Sequence, residues 1–180
     1  MAGTTHRWLA RIVGAAAAAL MIAGTTTGTA SAATTVVGPP PVEVTSNFGV
    51  VATTHPDTVG CNGYKVTGTG TSIGSPFADG GVWTQDEVVC TATVPGTYDI
   101  NGTAMISRSN GDKLKISYHL SAPLTSATTV YPTGTFTILR GEGLYEDATG
   151  GGSMSATVNL LDHAHVTSQM SGYMRFLWQV

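Results

Sequence analysis

Residues 133–152, TGTFTILRGEGLYEDATGGG, decide how this chain is read. Phe136 and Ile138 alternate with Thr135 and Thr137, the period-two pattern of a strand with one apolar face. Arg140-Gly141-Glu142-Gly143-Leu144 follows as a glycine-framed tight turn, then an aromatic-bearing segment, then the cluster 150–152. Strand, turn and glycine-started strand together predict an antiparallel hairpin of a barrel.

The same alternation extends in both directions. Upstream, Tyr98, Ile100, Gly102, Ala104 and Ile106 share one face, and Leu114, Ile116, Tyr118 and Leu120 share the next. Asn110-Gly111-Asp112 between them supplies a hairpin turn. Downstream, Met154, Ala156, Val158 and Leu160 form one apolar face. Met170, Gly172, Met174, Phe176 and Trp178 form another. Residues 42–54, 64–73 and 82–94 read as less regular strands, and the glycine-rich run 60–74 predicts a bulge. No window carries the i, i+3, i+4, i+7 apolar pattern of a helix. The fold class is therefore all-β, a single antiparallel β-barrel of about eight strands. A two-sheet β-sandwich stays open, because alternation does not distinguish closure from stacking. Small residues on the inner parity (Gly102, Ala104, Gly134, Ala156, Gly172) favour a narrow, closed barrel.

Residues 1–32 read as a secretory signal peptide. His6, Arg7 and Arg11 precede the apolar run 12–24, and Ala30-Ser31-Ala32 supplies the small-residue cleavage pattern. The apolar run is too short to span a bilayer comfortably, so cleavage after Ala32 is expected over a retained anchor. Residues 33–41 (ATTVVGPPP) form a proline-ended flexible leader, and 42–180 the barrel domain. The mature part keeps Lys65, Arg108, Lys113, Lys115, Arg140 and Arg175 against all eleven acids, a formal net charge of −5. An acidic, sparsely charged surface argues against nucleic acid and against membrane insertion or binding after cleavage. Homo-oligomerisation stays open. Cys61 and Cys90, the only cysteines, predict a disulfide in an exported chain, worth about 3.5 kcal/mol for the loop it closes.

GTFTILRGEGLYEDATGGGSMSATV resembles a pattern of exported bacterial barrels, roughly G-x-[FY]-x-I-x-G-G-T-G-[RK]-[FY]-x-G-A-x-G. It identifies the chain as similar to the allene oxide cyclase barrel-like superfamily, which includes the dirigent proteins. Upstream, TYDINGTAMISRSNGDKLKISYHLSAP resembles the preceding hairpin of that group. The match covers roughly 97–158. It departs at Arg140–Leu144, where the pattern has G-G-T-G-[RK], and at Asp147, where a glycine is usual. The resemblance implies an eight-stranded barrel with an apolar interior. Its members range from cyclases and stereochemistry-directing proteins to barrels without known activity, so it transfers no catalytic residue.

Candidate site residues follow from position and chemistry. Glu142 and Arg140 flank the turn at a barrel mouth, where a carboxylate shielded by the rim could act as acid or base or orient a ligand; a solvated turn pair is the plainer reading. Tyr64, Tyr98 and Tyr118 fall on the apolar parity, so their hydroxyls could meet a ligand inside the barrel or simply reach a polar rim. His163 and His165 share a strand face beside Asp162 but lack a third ligand, so no metal and no cofactor is expected. Trp83 lies on the parity of Gln85 and Glu87, opposite Val82, Val88 and Cys90. A register-shifting bulge is expected to bury it. The leading functional reading is a secreted barrel binding a small apolar ligand in its interior or mouth. The alternatives are a cofactor-free cyclase or isomerase, with Glu142 as its weak catalytic candidate, and a non-catalytic envelope protein with a filled barrel.

Overall fold

The computed structural model describes residues 38–54 and 61–176. The signal-peptide reading, most of the leader and Trp178 lie outside them. Nine strands make up the fold: β1 (Pro41–Thr54), β2 (Gly63–Ser75), β3 (Phe77–Thr91), β4 (Thr97–Ser107), β5 (Lys113–Pro123), β6 (Thr129–Val130), β7 (Thr133–Glu142), β8 (Thr149–Asn159) and β9 (Asp162–Arg175). A 3-10 turn, Gly143–Tyr145, links β7 to β8.

Pairing runs β8-β7-β5-β4-β3-β2-β1-β9, every pair antiparallel, and β9 returns to β8 to close an eight-stranded barrel. The sandwich alternative is thereby excluded. The extra strand, β6, bonds to the part of β8 that β7 leaves free. Pro132 separates the two; having no N–H to donate, it still accepts from the Ala156 amide through its carbonyl. The bulge expected in the glycine-rich run is present as a register shift between Ser72 and Gly74.

Inner and outer parities fall as the alternation predicts on β4, β5, β7, β8 and β9. On β3 the expectation needs correction. Trp83 is fully buried, yet the register from Val82 to Thr91 is continuous against β4, and no bulge is needed. The inward face of β3 is simply the Trp83-Gln85-Glu87-Val89 parity, which leaves Val82 outward and 52 % exposed.

The two barrel ends differ. At the end where β2, β4, β7 and β9 finish, Val42, Val44, Phe77, Ile106, Leu114, Tyr145, Ala148, Met170 and Met174 fill the interior. Tyr145, the aromatic of the opening segment, packs on Phe77 (ring centroids 5.1 Å apart) and donates from its hydroxyl to the Pro76 carbonyl. Buried Asp112 ties this end together. It accepts from the Leu144 amide (3.1 Å) and from Asn110 Nδ2 (2.7 Å), with Arg108 at 3.4 Å. Those bonds, the Leu144 amide foremost, hold its carboxyl below the usual range. The tight turn of the sequence reading is thus a glycine entry (Gly143, φ 66°) into a 3-10 turn seated on Asp112. Asp147 has φ 60°, a left-handed conformation that L side chains rarely adopt.

At the opposite end, the Cys61–Cys90 disulfide (Cα–Cα 5.7 Å) joins the residues just before β2 to the end of β3. Replacing both cysteines by serine is expected to lower unfolding free energy by about 3.5 kcal/mol, read as a reduced urea midpoint with a somewhat larger m-value, since the uncrosslinked denatured chain exposes more surface.

Candidate functional site

The disulfide end is hollow. A cavity of about 400 Å3 opens there, lined mainly by aliphatic side chains from every strand of the barrel wall except β7, with Val130 and Pro132 beside them. Phe48 forms part of its floor and stacks on Trp83 with ring centroids 5.5 Å apart. The indole Nε1 of Trp83 donates to Gln85 Oε1 (2.9 Å), which satisfies the buried N–H within the barrel. Around the mouth, Val94, Leu124, Leu160 and Leu161 leave large apolar surfaces exposed.

One row of residues gives the cavity its chemistry. Glu87 on β3 pairs with Gly102 on β4, and Gly102 with Tyr118 on β5. All three face inward. Tyr118 lies across the glycine and donates its hydroxyl to Glu87 Oε2 at 2.6 Å. Only glycine permits this: a Cβ at 102 would sit 2.4 Å from Tyr118 Cζ and 2.7 Å from Glu87 Cβ. Burial disfavours the charged carboxylate most strongly and neighbouring Asp86 adds to that, while the Tyr118 bond opposes them; the net effect pushes the Glu87 pKa up to about 7. Desolvation and the nearby carboxylate push the Tyr118 hydroxyl upward too, so it remains a donor.

Across the barrel, a serine row continues the polar pattern. Ser46 and Ser72 share a hydrogen bond of 2.7 Å. Ser168, opposite Ser46 on β9, lines the cavity and is 1 % exposed; its Oγ has no hydrogen-bond partner among the described residues.

The residues singled out from sequence divide by barrel end. Tyr64, Tyr98 and Tyr118 all line the cavity, as does His163. Arg140 and Glu142 do not. They stand at the filled end, where Glu142 is exposed and paired with Lys113 across β5 and β7 at 2.6 Å, an ion pair that lowers its pKa. The packed half of the core separates this turn from the three tyrosines. His165 is exposed and bonds Asp162 at 2.7 Å. Among the described residues no three His, Cys, Asp or Glu side chains come together as a cation site.

Glu87 was the residue missed. It shares the parity of Trp83, two strand steps away, and once Trp83 is placed inward Glu87 follows.

Two outcomes test this geometry. Gly102→Ala should drive Tyr118 off Glu87 and destabilise the fold by about 2 kcal/mol, measured by denaturant titration. Because the folded-state pKa of Glu87 lies above its ordinary 4.5, its contribution favours folding below pH 4.5 and is lost as pH rises through 7. Relative to wild type, Glu87→Gln should therefore gain stability across that window, by up to roughly 3 kcal/mol at pH 8.

Comparison with protein-family models, with curated proteins and with solved structures returns no match.

Proposed function

We propose that this protein is an exported barrel that binds a small apolar molecule in the hollow half of its interior. The observation that carries the reading is the cavity of about 400 Å3, within the range of small-ligand sites, apolar except for a few convergent polar groups. A narrow eight-stranded barrel has room either to be filled by its own side chains or to hold one small ligand. This one does the first at one end and the second at the other. The envelope-protein alternative assumed a barrel filled throughout, and the cavity is the observation against it.

Export is supported by the signal-like leader and by a disulfide of the kind that persists in oxidising compartments. Kinship with the allene oxide cyclase barrel-like proteins is retained as part of the proposal. The eight-stranded closure and the left-handed Asp147 at a glycine position of that pattern support it.

A cofactor-free isomerase is the second reading, favoured by one observation. Glu87, with a pKa of about 7 inside an apolar cavity, can give or take a proton near neutral pH. Confinement of a flexible substrate would do the rest. Glu87 replaces Glu142 as the candidate because it, and not Glu142, faces the cavity.

A neutral apolar fluorophore such as N-phenylnaphthylamine is expected to brighten on binding and to be displaced by apolar extracts. Ala156→Phe and Ala122→Phe, which fill the cavity from different walls, should each abolish the signal without lowering thermal stability. Absence of any retained apolar molecule in the wild-type protein would end the proposal. Recovery of chemically altered molecules, lost in Glu87→Gln, would decide for the isomerase.

A further inference from the structure

Taking the cavity as a ligand site, we propose that its ligand is an apolar amine, bound as the cation with its ammonium group against Glu87. The argument begins with what surrounds the carboxylate. Among the described residues neither lysine nor arginine lines the cavity, and the other titratable groups there are Tyr64, Tyr98, Tyr118 and His163. Glu87 lines the cavity with its Oε2 engaged by the Tyr118 hydroxyl, which leaves Oε1 as a further acceptor. Lys65, one residue along from the β2 partner of Glu87, is committed elsewhere: it pairs with outward-facing Asp86 at 3.1 Å.

A desolvated carboxylate with one neutral donor and no counter-cation is an unfavourable arrangement. Of the three simple head groups an apolar molecule can present, an ammonium improves it most. It supplies both the N–H donor for Oε1 and the opposing charge, and charge-assisted bonds of this kind are about twice as strong as neutral ones. A ligand carboxylate would meet Glu87 with like charge. A hydroxyl would satisfy hydrogen bonding without compensating charge. The three tyrosine rings in the same lining favour the cation again, since their faces attract positive charge.

Two further polar groups of the lining, one beside Glu87 on β3 and one across the barrel on β9, favour a ligand with polar atoms. Ser168 offers a buried hydroxyl without a partner. Gln85, whose carbonyl is taken by Trp83, has its NH2 group left to donate. An amine that also carries a hydroxyl or carbonyl would satisfy these groups as well.

Calorimetry of the purified, disulfide-bonded protein with octylamine, octanol and octanoate at pH 8 separates the possibilities. Octylamine should bind about tenfold or more tighter than octanol, with octanoate weakest. Glu87→Gln should remove the preference for the amine while leaving octanol binding in place, which also shows that the variant is folded. Tyr118→Phe keeps the carboxylate and should keep the preference. If wild type binds all three alike, or favours octanoate, the amine assignment falls and the apolar-cavity reading stands. Loss of the preference in Tyr118→Phe but not in Glu87→Gln would overturn the role of the carboxylate. If none of the three binds and the neutral fluorophore is not retained, both readings fall together.

Discussion

Closure of the sheet between β8 and β9 is the constraint from which the rest follows. Gly152 and Gly172 stand directly opposite each other on the inner face of that seam. A Cβ on either would lie within 2.1–2.3 Å of a backbone oxygen of the partner strand. The strands therefore approach more closely than side chains would allow, and the wall curves tightly enough for eight strands to meet. Closure pairs β8 with β9, the strands that would otherwise be the two edges of the wall. It also fixes a diameter that side chains must fill or leave empty.

Filling is uneven because large side chains are unevenly placed along the strands. Phe77, Ile106, Leu114, Met174 and Tyr145 converge on one end, and the Trp83–Phe48 stack caps that packed half. Beyond the stack the inward positions carry Ala52, Val66, Ala122, Ala156 and Val158, too small to meet across the barrel. The cavity is the space they leave. Its consequence is electrostatic: a carboxylate placed on that wall loses water without gaining a cation, and only the Tyr118 hydroxyl, admitted by Gly102, compensates. The raised pKa of Glu87 is thus a result of barrel closure, expressed through packing.

The strand pattern was legible because an antiparallel wall with one buried face imposes alternation on every strand, and β4, β5, β7, β8 and β9 show it plainly. It failed on β3, where valines outside and Gln85 and Glu87 inside invert the usual assignment. Placing the tyrosines inward succeeded for the same reason of parity. Placing Glu142 at a functional mouth did not, since parity says which face a residue takes and nothing about which barrel end is hollow. The turn that carried the most recognisable motif serves the filled end: Tyr145 as plug, Gly143 and Leu144 seated on Asp112.

Local sequence determined the strands and, except on β3, their inner faces, because these depend on periodicity and on glycines at turns, which are short-range properties. The cysteine pair was legible too, since the chain has only these two cysteines. The tertiary structure alone decided which end stays open and that Glu87 and Tyr118 meet across Gly102. These depend on residues 15 and 16 positions apart being brought into one row by strand register. Register is a sum of pairings around a closed wall, and no single stretch of the chain contains it.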